Sequence, residues 1–168
     1  MCGLLCSLLI GSAQADSGFK NADDADPQKL PEDVVTMPAA PKSENLVEFD
    51  VSAATTNHFF VDAATLSVGN DGVVRYVLVV KAPGGATNIT FEGMRCTSGE
   101  YRIYATGRGD GGWSKSRNDS WRPIENKPVN RHHAALRQEL FCPDGIPVGS
   151  ADAARDALRR GYNPRPSN

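Results

Sequence analysis

Three stretches of the 168-residue chain carry side chains that could do chemistry: Arg108-Gly109-Asp110, His132-His133, and the scattered acids Asp62, Glu92, Glu100 and Asp110. The first is the adhesion tripeptide of integrin ligands, but Gly111-Gly112 behind it points to turn geometry instead. The histidines invite a metal, yet neighbours on a helix point about 100° apart and Glu139 lies two turns away, so further ligands such as His58 or Asp62 would have to be brought in. Four acids could form a hydrolase pair if two converged, and no spacing in the sequence nominates a pair. There is no Gly-x-Ser-x-Gly elbow, phosphate loop, dinucleotide fingerprint or zinc-type cysteine spacing, so no cofactor and no metal are expected.

The remaining cluster is aromatic and cationic. Tyr101, Tyr104, Trp113 and Trp121 are interleaved with Arg102, Arg108, Lys115, Arg117 and Arg122. Rings beside cations suit a sugar, a peptidoglycan fragment or a protein partner, while both tryptophans covering the open end of a sheet would account for them equally well. Tyr101, Tyr104, Arg108, Trp113 and Trp121 are the candidate binding residues.

The chain has the size of one domain, and 18 basic against 20 acidic residues give a net charge of -2, which removes the basic field needed for non-specific nucleic-acid binding. Leu4, Leu5, Leu8, Leu9 and Ile10 followed by Ala13-Gln14-Ala15 read as a cleavable signal over residues 1–15, too short to span a bilayer and without a basic n-region. A lipoprotein role for Cys6 is the minor alternative. Cleavage after Ala15 would leave Cys96 and Cys142 as the only cysteines, and an oxidising compartment would pair them.

Positioning these residues falls to a short set of elements. Residues 16–43, with Pro27, Pro31, Pro38 and Pro41, are expected to be a disordered linker, either a tether or a leader remnant. A domain over 44–162 would begin with a strand at "NLVEFDV" and continue through "HFFVDAATLSVG", turning at Asn70-Asp71-Gly72. "VVRYVLVVK", apolar on both faces, is the expected central strand; "NITFEGMRC" and "EYRIYAT" complete a meander, with Tyr101, Ile103 and Ala105 on one face. One helix is expected after Asn130 as cap through "RHHAALRQELF". A second runs from Ser150 to a stop at Gly161, with a frayed tail over 163–168. Strands followed by helices give an α+β fold, an antiparallel meander with two short C-terminal helices on one face or end.

The strands "VVRY", "FEGMRC" and "GEYRIYA" and the turn "DGGW", followed by Trp121, resemble the cryptic neisserial protein (CNP-like) family over about residues 44–160. The resemblance implies an exported β-proteobacterial domain of unknown function with a cleavable signal and a periplasmic or outer-membrane-associated location, and supplies no catalytic residues. Together these features lead to a non-enzymatic binding or structural module for an envelope protein or cell-wall component, acting through the face around residues 101–122. The alternative is an envelope hydrolase acting on a cell-wall or glycan substrate.

Overall fold

A computed structural model describes residues 31–163, so the expected signal, its cleavage point and residues 16–30 of the linker lie outside the described residues. The fold is α+β: one antiparallel eight-stranded sheet with two C-terminal helical segments on one face. β1 (Leu46–Phe49), β2 (His58–Asp62), β4 (Val73–Lys81), β5 (Thr87–Arg95), β6 (Glu100–Gly107) and β7 (Trp113–Lys115) lie side by side in that order. Two short strands complete it, β3 (Ser67–Val68) against β4 and β8 (Arg122–Pro123) against β6.

β4 is central because its sequence is apolar in both phases. Val74, Tyr76 and Leu78 enter the large core under the helices, while Val77 and Val79 enter a smaller cluster on the opposite face. The turn at Asn70-Asp71-Gly72 forms as expected, with Gly72 at φ 71°. β2 and β3 lie along the same edge of β4 but are not one strand. Asp62 interrupts them: its carboxylate accepts from Ala64 N–H, and Thr65 Oγ1 donates to the Asp62 carbonyl.

β6 corrects the expected phase of its side chains. Glu92 pairs with Ile103 but Phe91 with Ala105, so Tyr104 is the extra residue of a β-bulge. Tyr101 and Ile103 share the helix face, whereas Ala105 joins Phe91 on the other. Gly93 makes the bulge possible, because a Cβ there would lie 2.4 Å from the Tyr104 hydroxyl oxygen and 2.9 Å from its ring.

α1 (Arg131–Ala135) is shorter than expected, since the chain continues as a π-helical segment, Leu136–Phe141, that seats Leu136, Leu140 and Phe141 in the main core. Asn130 precedes it without capping through its side chain. α2 (Ala151–Arg160) keeps the signals read from its sequence: Ser150 Oγ accepts from Ala153 N–H at 3.1 Å, Arg159 and Arg160 occupy the last turn, and Gly161 ends it at φ 75°. Cys96, just after β5, is bridged to Cys142, just after the π-helical segment, as expected. The bridge ties the helical layer to the sheet.

Residues 31–42 differ from the disordered linker expected there. They have no regular secondary structure, but Glu32 and Pro38 are bonded to the sheet face opposite the helices and Asp33 to the Asn70-Asp71 turn. Proline removes ladder donors without preventing side-chain docking, which composition does not report. Asn163, assigned to the frayed tail, is also held: its N–H donates to Glu139 O at 2.8 Å and its amide to Leu140 O at 3.1 Å.

Candidate functional site

The sheet separates the residues that sequence grouped together. Tyr101 faces the helices, where its ring stacks on His133 with centroids 3.8 Å apart. Tyr104 and Trp113 lie on the opposite face around Phe91, at 5.2 and 6.2 Å. Trp121 is on that side too, with the Arg95 guanidinium 4.1 Å over its ring and that of Arg102 at 6.0 Å. Arg108 sits at the tip of the β6–β7 hairpin, where its guanidinium pairs with Asp110 at 3.1 Å. Asp110 also accepts from Gly112 N–H at 2.8 Å. The Arg108-Gly109-Asp110 charges therefore neutralise each other inside a hairpin closed by Gly111 at φ 81°.

The four acids do not converge. Asp62 holds its own turn, Glu100 accepts from Ser98 Oγ, Asp110 pairs with Arg108, and Glu92 is buried under the helices. Among the described residues, no group of three His, Cys, Asp or Glu side chains could hold a metal ion.

Glu92 organises a buried polar centre that sequence reasoning missed. At 2% exposure, its carboxylate accepts from His133 Nε2 at 2.9 Å and from Thr90 Oγ1 at 2.6 Å. Burial opposes the carboxylate, but the charge and hydrogen bond of His133, aided by the Thr90 hydroxyl, outweigh it and hold the Glu92 carboxyl below its ordinary value. Glu92 is thus held as a carboxylate against His133 and Thr90. Tyr76, directly opposite Glu92 on β4, has its phenol pushed well up by burial and then by the Glu92 charge, so it stays protonated. His132 stacks on Phe59 at 5.3 Å; burial, then the neighbouring His133 charge, lower its pKa to about 4 against the opposite pull of Glu92. A signal for this centre exists in the sequence: Thr90, Glu92 and Met94 are in phase, which places a carboxylate on the core face of a strand.

Above this centre the sheet and the loop before α1 leave a cavity of about 550 Å³. Phe59, Leu78, Val80 and Ile103 make its apolar floor; Thr90, Glu92, Tyr101, His132 and His133 close one end; Pro128 and Val129 overhang it; and the amides of Asn57, Asn88 and Asn130 line it. Val129 is 77% exposed, so an apolar side chain stands at the mouth. The cavity offers apolar surface, amide and hydroxyl groups, and its lining carboxylate, Glu92, is already engaged by His133 and Thr90. A charged ligand would enter without a counter-ion, whereas a neutral one with an apolar body and hydroxyl or amide groups would find partners for both parts.

Among known proteins, the model of the CNP1-like family matches residues 25–159. The chain is 23% identical, over an alignment of 185 residues, to cryptic neisserial protein 1 of Neisseria gonorrhoeae (strain ATCC 700825 / FA 1090), covering 96% of this chain and 90% of that protein. No solved structure matches.

Proposed function

The chain belongs to the CNP1-like family, and from that premise we propose that it is an exported, non-enzymatic binding domain of the cell envelope that holds a small neutral ligand between the sheet and the loop before α1. The observation that carries this reading is the cavity over Glu92 and His133: about 550 Å³ in volume, within the range of small-molecule sites, apolar at its floor and edged with amides. Neutral sugars or uncharged cell-wall fragments fit that chemistry. Export is supported by the apolar run and Ala13-Gln14-Ala15, and by a cysteine pair that forms a bridge, as an oxidising compartment would favour.

Binding is favoured over hydrolysis because the four acids are each engaged by separate partners, and because the one threonine hydroxyl beside the Glu92–His133 pair already donates to Glu92. No attacking group is left beside a free base.

The test compares wild type with Ile103→Trp, which fills the cavity floor. Native mass spectrometry of protein extracted gently from the envelope should show a bound small molecule on wild type and none on the variant, with both chains equally folded. Identical mass profiles for the two would remove the cavity as the site. Fractionation with amino-terminal sequencing tests export separately: a processed terminus at Asp16 in the envelope fraction is expected, and an unprocessed cytoplasmic chain would overturn it.

A further inference from the structure

The face opposite the helices is covered by a segment of the chain itself. Both oxygens of the Glu32 carboxylate are engaged. Oε1 accepts from the Tyr104 hydroxyl at 2.5 Å and lies 3.6 Å from Arg75 Nη2, and Oε2 accepts from Arg102 Nη1 at 2.7 Å. Two guanidiniums and a phenol from β4 and β6, the strands flanking β5, thus converge on one carboxylate that lies before β1 in the chain. The receptor is anchored from behind, since Arg75 also pairs with Asp71 and Arg102 with Asp119. It still has donors to spare: Arg75 Nε and Arg102 Nε are buried with no hydrogen-bond partner among the described residues.

The occupant touches the face at a regular interval. Three residues after Glu32, Val35 packs against the cluster of Val77, Val79, Phe91 and Tyr104. Three further on, the Pro38 carbonyl accepts from Trp113 Nε1–H at 2.8 Å. A period of three is that of an extended polyproline-type chain, the conformation Pro31, Pro38 and Pro41 favour. The intervening Val34 and Met37 are 97% and 38% exposed. The segment adds no strand to the sheet; Asp33 fixes its start, donating through N–H to Asp71 and accepting from Asn70 N–H.

We propose that this face is a peptide-binding groove for an extended acidic segment of a partner protein, with a glutamate in the Arg75–Arg102–Tyr104 receptor, an aliphatic residue three positions later and a backbone carbonyl on Trp113, and that residues 32–38 hold it closed in cis. Charge complementarity selects the acidic ligand. A cavity of about 370 Å³ alongside, bordered by Val35, Met37, Lys115 and Asp119, gives room for larger side chains than this chain's own and sets a third cation beside them. Side-chain anchoring without ladder bonds makes the segment exchangeable. Recognition of this kind is independent of the cavity on the helix face.

The test uses a labelled peptide with the sequence of residues 31–40 and the full chain, as wild type and as Glu32→Gln. The tethered segment competes at an effective concentration on the order of millimolar, so the peptide should bind Glu32→Gln at least about tenfold more tightly than wild type. Adding Arg102→Ala to Glu32→Gln should abolish that binding, as should a glutamine in place of the peptide's glutamate. If Glu32→Gln does not fold, wild type titrated with millimolar peptide should still show a salt-sensitive change in tryptophan emission that Trp113→Phe removes. No binding in either format, or binding that survives Arg102→Ala, would overturn the groove. A wild-type dimer that Glu32→Gln converts to monomer would assign the groove to a second copy's segment and overturn the partner reading.

Discussion

His132 makes stability depend on pH in a way that can be worked out in advance. Its ring is packed on Phe59 and beside His133, and its pKa in the folded chain is about 4 against 6.5 for an unperturbed histidine. A base with a depressed folded pKa takes up its proton more readily when unfolded, so its contribution is fully present above pH 6.5 and is lost as pH falls toward 4. Each unit in that window costs about 1.4 kcal/mol, which amounts to about 2 kcal/mol between pH 7.5 and 5. Glu92, whose folded pKa is lowered, acts in the same direction but loses its contribution only as pH falls below the ordinary carboxylate range and through its folded value. The perturbation is His132→Phe, which keeps a ring against Phe59 and removes the titration. Urea unfolding followed by tryptophan fluorescence at half-unit pH steps should give a wild-type curve that drops about 2 kcal/mol relative to the variant by pH 5. Parallel curves between pH 6.5 and 5 would refute the burial of a neutral His132.

The Cys96–Cys142 bridge closes a loop with a sequence separation of 46, so replacing both cysteines by alanine should cost about 4 kcal/mol in the entropic account; urea unfolding of oxidised wild type and the double variant measures it. Thiol labelling of the native, unreduced protein should likewise find neither thiol reactive. Gly93→Ala should cost about 1–3 kcal/mol, because a Cβ meets the Tyr104 ring, and two-dimensional NMR should show the disturbance spreading to Glu32 and Arg102. Ser150→Ala should remove the α2 cap at about 1 kcal/mol without moving other elements, read as a shift in urea midpoint.

Features set by neighbours in sequence were the legible ones. The glycine and asparagine turns, the doubly apolar β4 and the Ser150-to-Gly161 frame of α2 depend on local backbone preferences and the phase of side chains. The bulge at Tyr104 was not legible because it is fixed by pairing with Gly93 of another strand, and one extra residue moves Ala105 to the other face. The π-helical turn at Leu136–Phe141 keeps the leucines buried, as their spacing indicates, while changing the hydrogen-bond pattern that spacing cannot report. The aromatic and cationic residues stand out as a set in the sequence, but the pleat and the bulge divide them, with Tyr101 and Tyr104 on opposite faces. The docked segment and the Glu92–His133 centre join residues 70 and 41 positions apart, so their parts were visible and their meeting was not.

Chemical-shift mapping of the isotope-labelled chain during titration with soluble, uncharged cell-wall glycan fragments tests the binding reading most directly. Saturable shifts at Asn57, Asn88, Thr90, Ile103, Val129 and His132, absent from Ile103→Trp, are the expected result. Shifts confined to the opposite face around Trp113, or none at any residue lining the cavity, would contradict it.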